Sequence, residues 1–378
     1  MIYLTYAEPP SGVYASQVTD VIRFLNSECN ADIRLLAFLS LRDFRKQRAK
    51  LKEKLPDAII MPMLPKATFW RFNTFILGII CIALKEKTIL ARNVIACNMA
   101  LLLKKSGILK KVGFDGRGAI AAEWKEYDVQ VDPSWKKEID ILERDAVLKS
   151  DVRLAVTHHL ADYWKKTYGY NSSGHVVIPC TLNSVFTNAY PDENKVREIR
   201  AKHGYVNDDI VIAYSGSTAG WQSFNLVQPV LQHYLSMGKH YKALFLSPDE
   251  PKIRELSTEF PGQVRRVWVS HSDVPGVLQA CDLGILVRDQ STTNRVASPT
   301  KFAEYLAAGL PVAISANLGD YSEFVAKHNC GFIVNGNTLP ALERNSPAEQ
   351  TRLNRLANDT CTKEACKSQY MQLLDYLK

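Results

Sequence analysis

No apolar stretch in this sequence approaches the roughly 20 residues that a helix needs to cross about 30 Å of hydrocarbon. The longest, Phe75 to Leu84, has ten residues. It fits a core helix, although its neighbours Lys66, Trp70, Arg71 and Phe72 would also suit a helix resting on a membrane surface. The eight cysteines form no C-x-x-C pair. Most lie in apolar runs, as the reduced core thiols of a cytosolic protein do, and Cys361 and Cys366 lack a second Cys/His pair that would complete a metal site. No Asp-x-Asp pair is present to bridge a diphosphate through Mg²⁺ or Mn²⁺. No Gly-x-x-x-x-Gly-Lys loop or Gly-x-Gly-x-x-Gly fingerprint occurs, which argues against a P-loop NTPase and a nicotinamide dehydrogenase. There is no internal repeat. The opening Met-Ile-Tyr-Leu-Thr-Tyr lacks a basic n-region and is expected to form a strand, not a signal peptide.

What is present is an ordinary globular composition over 378 residues, 46% apolar and 23% charged, a length that predicts two domains. The net charge of +8 is unevenly placed. Residues 1–190 hold 27 Lys/Arg against 19 Asp/Glu, and the remainder is balanced. The surplus is densest between Arg34 and Arg71, where Arg42, Arg45, Lys46, Arg48, Lys50 and Lys52 face few acids. A solvated helix face would account for this. So would a surface for an acidic partner: anionic lipid headgroups, a lipid pyrophosphate or nucleic acid.

Short apolar runs alternate with helical patterns. Strands are predicted at Ile2–Tyr6, Leu35–Ser40, Ala58–Pro62, Thr88–Ala91, Lys111–Asp115, Arg153–Thr157 and His175–Pro179. In the second half they fall at Ile210–Ser215, Lys242–Ser247, Val264–Ser270, Leu283–Arg288, Pro311–Ser315 and Gly331–Val334. Unalternated strands separated by helices mean parallel sheets covered on both faces. The polar stretch Tyr190–Asn194 reads as a linker. The expected domains are therefore 1–190, 191–345 and a helical tail, 346–378, that crosses back to the first domain. The class is α/β: two Rossmann-like, doubly wound parallel-sheet domains facing a cleft.

Ligands of such sheets bind beyond the carboxyl ends of the strands. The segment Ser298–Val312 follows one strand and reads as a complete helix. Ser298 suits the N-cap, Pro299 the first helical position and Gly309 the left-handed residue after the last turn. The free N–H groups of that helix start, with Arg288, Arg295 and Lys301 around it, form a ready phosphate site. Glu304, one turn in, can accept ribose hydroxyls. Phosphate donors beside a hydroxyl acceptor point to a nucleotide diphosphate.

Ser298-Pro299-Thr300-Lys301, Glu304-Tyr305-Leu306-Ala307, Gly309 and Pro311-Val312 together resemble the donor-binding helix of retaining GT-B glycosyltransferases of the large group-one family, family four. Ala280–Leu286 and Ile178–Asn183 resemble further segments of that family. The resemblance implies the GT-B fold, a nucleotide-diphosphate sugar as donor, no separate cofactor and no metal. It implies a ribose contact for Glu304. Many members carry a second Glu where this chain has Val296. The loop Ser215-Gly216-Ser217 follows a strand where members hold the diphosphate, but no cation follows Ser217. Phe114-Asp115-Gly116-Arg117-Gly118 resembles the Asp-x-Arg-Gly loop of a subset, with Asp115 as candidate active-site carboxylate. Arg92 ends a strand in an equivalent place. Gly12, in the first loop, would let backbone approach the donor diphosphate.

The expected activity is a cytoplasmic, metal-independent hexosyltransferase of polysaccharide biosynthesis, peripheral on the inner membrane face. It would move a sugar to a glycan, here a lipid-linked one. The acceptor would lie on the basic first domain, with an anionic membrane surface but no nucleic acid as further partner. Arg288 and Lys301 would stabilise the leaving diphosphate. A nucleotide-sugar epimerase of the same fold, or a non-catalytic nucleotide-sugar-binding partner, are the alternatives.

Overall fold

The computed structural model describes residues 1–127, 129, 133–187, 189–218, 220–336 and 339–378. Strands form at all thirteen expected places: β1 (Ile2–Tyr6), β2 (Arg34–Leu39), β3 (Ile59–Pro62), β4 (Thr88–Arg92), β5 (Lys111–Gly116), β6 (Val152–Ala155) and β7 (His175–Val177), then β8 (Ile210–Ser215), β9 (Tyr241–Leu246), β10 (Val264–Val267), β11 (Leu283–Leu286), β12 (Val312–Ser315) and β13 (Gly331–Val334). They make two sheets, ordered β3-β2-β1-β4-β5-β6-β7 and β10-β9-β8-β11-β12-β13. Every pairing is parallel, with Leu4 opposite Leu36 and Ala213 opposite Gly284. Runs such as Leu35–Leu39 are buried throughout because helices cover both faces. In each sheet the chain winds outward over three strands, then returns past the first. That reversal leaves a switch point between β1 and β4 and another between β8 and β11, where successive loops diverge and a ligand can enter.

Side-chain alternation builds the second sheet's two cores. Val211 and Ala213 face Phe302, Tyr305 and Leu306, while Ile210, Ile212 and Tyr214 face Phe224, Leu231 and Tyr234.

The chain divides into two compact units: Met1–Thr181 with Val296–Ser298 and Cys366–Lys378, and Leu182–Arg295 with Pro299–Ala365. The first border falls before the expected 190/191 linker. Leu182 and Phe186 already belong to the second unit's core, and the Leu182 N–H donates to the Cys361 carbonyl at 2.8 Å. The tail is shared out. Its helix Pro347–Cys361 contributes Leu353 and Ala357 to the second unit's core. The helix Lys367–Leu377 packs in the first unit, where Leu377 lies against Gly113 and Lys111 Nζ donates to the Tyr376 carbonyl at 2.9 Å. No disulfide joins any of the eight cysteines, and all but Cys180 are buried. No helix among the described residues is long and apolar enough to cross a membrane.

Candidate functional site

The second unit gathers its polar side chains at the β8/β11 switch point. The helix Thr300–Ala307 is anchored first by packing. Gly284 on β11 has no side chain, so the Tyr305 ring lies directly on the strand, and the Tyr305 hydroxyl accepts the Ser215 N–H at 2.9 Å. This fixes the end of β8 against the helix that carries Lys301. Gly216 follows with φ +134°, and the space a Cβ would need there is filled by the Lys301 ammonium group. Only glycine fits that position.

Beyond β11, Arg288 is buried, and its backbone N–H donates to Ser315 Oγ at 2.6 Å. Its guanidinium donates through Nη1 to Asn294 Oδ1 at 3.3 Å and through Nη2 to Gln222 Oε1 at 3.2 Å. Lys301 Nζ donates to the same Gln222 oxygen at 3.0 Å. Two cations thus converge on one neutral acceptor. The electrostatic cost is visible in Lys301: burial, and then the neighbouring Arg288 charge, push its pKa down to about 7, against the pull of Glu304. Burial pushes Glu304 up to about 7, opposed by Lys301. Both groups are thereby held near their ionisation points. Carboxylate chemistry also reaches the β8 loop, where the Thr218 N–H donates to both oxygens of Glu250 at 3.0 Å. Ala219 lies outside the described residues.

The other expected residues are placed as follows. Pro299, not Ser298, occupies the N-cap, without a side-chain cap bond. The Ser298 hydroxyl instead accepts the Cys180 N–H at 2.8 Å within the first unit. Val296 is buried in that unit too, and its carbonyl accepts the Thr157 hydroxyl at 2.8 Å, so an ionised side chain there would lack solvent. Ahead of that helix a short one, Thr292–Val296, leaves Arg295 exposed and joined by no hydrogen bond to Arg288, Lys301 or Gln222. Thr300 and Lys301 begin the helix, and both are partly exposed. Tyr214 donates its hydroxyl to the Ser217 carbonyl at 2.6 Å, shaping the Ser215–Ser217 turn.

In the first unit, Gly12 is exposed at the start of a helical turn capped by Ser11 Oγ. Asp115 departs from expectation. It is fully buried, beside Arg92 in the β4–β5 register. Its Oδ1 pairs with Arg117 Nε at 2.7 Å, Oδ2 accepts from Arg117 Nη2 at 3.0 Å and from the Tyr3 hydroxyl, and Arg92 Nη1 stands 3.8 Å away. A carboxylate so enclosed positions its neighbours; it has no face left for a substrate. Arg92 Nε pairs with Glu8 Oε2 at 2.7 Å and Arg117 Nη1 donates to Gln17 Oε1 at 3.3 Å. Glu8, Gln17 and Gln222 were missed by sequence reasoning. Gln222 was passed over because a cation was sought in that loop.

No known family profile matches the chain. It is 27% identical over 230 residues to the chitobiosyldiphosphodolichol beta-mannosyltransferase of Candida albicans, covering 57% of this chain and 47% of that protein. The chain thus aligns with about half the length of that curated relative. Among solved structures it resembles Anabaena HepE in complex with UDP and glucose, with TM-score 0.70 at 13% identity over 100% of this chain and 99% of that one. It also resembles sucrose-phosphate synthase of Thermosynechococcus elongatus, with TM-score 0.69 at 14% identity over 100% and 98%. The chain has the GT-B fold.

Proposed function

We propose that the chain is a hexosyltransferase that takes its sugar from a nucleotide-diphosphate donor and gives it to a lipid-linked glycan. The observation that carries the reading is the sharing of Gln222 Oε1 by Arg288 and Lys301. Two cations on one uncharged oxygen, at the carboxyl edge of a switch point, match the charge and position of a diphosphate. A structural neighbour binds UDP and glucose, and the curated relative's name specifies a mannosyl group and a dolichol diphosphate acceptor. The first supports the donor class, and the second supports a hexosyl group and a lipid-linked acceptor.

In the proposed reaction the bond between the anomeric carbon and the diphosphate oxygen breaks, and the acceptor hydroxyl oxygen bonds to that carbon. The electron pair and negative charge pass to the diphosphate, where Arg288 and Lys301 stabilise them. The acceptor proton leaves on a phosphate oxygen, which gives retention by front-face attack. Glu304 accepts the ribose hydroxyls. The protein's own cations do the electrostatic work, with no metal or further cofactor in the scheme.

A thermal-shift panel of UDP-, GDP-, ADP- and CMP-sugars identifies the donor, since binding raises apparent stability. With that donor, Arg288→Ala is expected to lower turnover by about 10²–10³. Wild-type kinetics in that variant would remove the basis of the site. Product formed without acceptor would favour an epimerase. Binding without hydrolysis or transfer would favour a non-catalytic partner, which Val296 and the uncharged Ser217 loop would then explain.

A further inference from the structure

The helix Trp70–Ala83 of the first unit is apolar on its outward face as well as on the inward one, where Trp70, Leu77 and Cys81 are buried. Its polar residues Asn73 and Thr74 point inward. The Asn73 amide donates to the carbonyls of Leu64 at 3.0 Å and Phe69 at 2.9 Å, and the Thr74 hydroxyl donates to the Trp70 carbonyl at 2.9 Å. Its outward arc is Phe72, Phe75, Ile79 and Ile82, which are 52%, 67%, 54% and 61% exposed. Their spacing of three, four and three residues puts them on one face. Phe69, 48% exposed, extends the stripe at one end. Single exposed apolar side chains are ordinary. A continuous stripe with two aromatic rings is not, and it marks a surface that something apolar covers.

Charge says what covers it. Lys66 and Arg71 are exposed near one end of the stripe, and Lys85, Lys87, Lys105 and Lys110 near the other. Between Leu64 and Lys110 the sole acidic residue is Glu86, which is partly buried and paired with the Met1 amino group at 3.3 Å; from outside that span, Glu138 pairs with Arg71 at 3.5 Å. A second copy of this face would bring two basic rims together and be repelled. An anionic bilayer is apolar beneath and negative at the rim, which complements both features.

The strongly basic helix Phe44–Lys54 does not belong to this face. The chain moves one way along the sheet from β2 to β3 and the other way from β3 to β4, so right-handed crossovers put the two connecting helices on opposite faces. Arg23 ties the Phe44–Lys54 helix to Asp20–Glu28 instead, through the Lys54 carbonyl at 2.6 Å.

We infer that the Trp70–Ala83 helix docks the chain on an anionic phospholipid surface, with its apolar arc among the upper acyl chains and its rim lysines on the phosphates. The inference deepens the lipid-linked acceptor reading and rests on it for its purpose. Its test does not. The full chain is floated with vesicles of phosphatidylcholine, alone or with one-third phosphatidylglycerol, at low and high salt. Wild type is expected to float with the anionic vesicles and to lose most of that binding in high salt. Phe75→Glu with Ile79→Glu should lower the bound fraction at least about tenfold. Phe75→Ser with Ile79→Ser, a milder pair at the same exposed positions, should act in the same direction. Lys105→Glu with Lys110→Glu should weaken binding and flatten its salt dependence. Lys46→Glu with Arg48→Glu, on the opposite face, should leave it unchanged. Absence of flotation at low salt, binding indifferent to both apolar pairs, or loss through Lys46 and Arg48 alone would overturn the inference. So would a concentration-dependent dimer, dissolved by the Phe75/Ile79 variants, in a chain that ignores vesicles. Donor thermal shift is read on the same samples. A failed shift with intact flotation would strike the proposed activity and spare the membrane face; the reverse would do the opposite.

Discussion

Anion binding by the second unit should be accompanied by proton uptake, and the amount follows from Lys301. Burial and the Arg288 charge hold the free ammonium at a pKa of about 7. A diphosphate brought against it supplies the missing counter-charge and raises that pKa. At pH 8 the free site is about one-tenth protonated, so binding should draw in about 0.9 proton; at pH 6 it is already charged and should draw in about 0.1. Glu304 supplies the opposite sign. Its free pKa of about 7 leaves it largely protonated at pH 6. Hydroxyls donated by a ribose favour the carboxylate, so a nucleoside diphosphate should release a proton there that inorganic pyrophosphate does not. The assay is titration calorimetry in two buffers of different ionisation enthalpy, with pyrophosphate and with a nucleoside diphosphate. Subtracting Lys301→Met from wild type cancels the protons that the ligand itself exchanges. Equal uptake at pH 8 in wild type and Lys301→Met would refute the argument. So would equal proton release at pH 6 in wild type and Glu304→Gln.

Three further outcomes test the packing within each unit. Gly216→Ala forces a Cβ into the place of the Lys301 ammonium at a φ of +134° and should destabilise the fold by about 1–3 kcal/mol. Adding Lys301→Met should recover part of that loss, and strict additivity in thermal unfolding would contradict the clash. Asp115→Ala leaves the buried guanidinium groups of Arg92 and Arg117 without their shared carboxylate. It should cost about 3–5 kcal/mol in urea unfolding, and an unchanged midpoint would disprove the enclosure. Glu143 is fully buried, and burial pushes its pKa up to about 7 even though its Oε2 accepts the Ala121 N–H at 2.8 Å. The folded state therefore holds this proton more tightly than the unfolded chain. The associated stability is present below the ordinary carboxyl pKa and is lost as pH rises through about 7. Glu143→Gln should remove up to about 3 kcal/mol of the wild-type decline between pH 5 and pH 8. Parallel pH profiles would refute it.

The strands were legible because parallel strands covered on both faces are written as unbroken apolar runs, and Leu35–Leu39 or Ile210–Ala213 admit no other arrangement. The end of the helix Thr300–Ala307 was legible for a local reason as well: Gly309 takes a φ of +79° as its place before Pro311 implied. Its beginning was not. An N-cap is a preference between neighbours, and the Ser298 hydroxyl was claimed by the N–H of Cys180, 118 residues away. Asp115 was misread for the same kind of reason. A carboxylate at a strand's carboxyl end looks available until the β4–β5 register sets Arg92 beside it. Gln222 escaped because a search for phosphate-binding cations passes over a carboxamide, although its single oxygen organises both of them.

The stereochemistry of the proposed transfer and the location of a base are one question. Inversion requires a group on the acceptor side to take the hydroxyl proton, and Asp115, Glu304 and Glu8 are each already committed. Asp115 is sealed among Tyr3, Arg92 and Arg117. Val296 stands where a further Glu would have been, its side chain buried. Glu304 lies on the helix that carries Lys301, beside the proposed diphosphate. Glu8 ends the loop at the first sheet's switch point and keeps some exposure, but Arg92 Nε holds its Oε2 at 2.7 Å and Asn93 Nδ2 holds its Oε1 at 2.9 Å. To act as a base it would have to give up an ion pair with a buried guanidinium, and that opposes proton transfer to it. Front-face transfer needs none of these groups, because the departing phosphate receives the proton in the field of Arg288 and Lys301. The residues on hand therefore favour retention in the proposed reaction, despite the beta product named for the curated relative. The anomeric configuration of the new glycosidic linkage relative to that of the donor, read by proton NMR of the transfer product, decides between them.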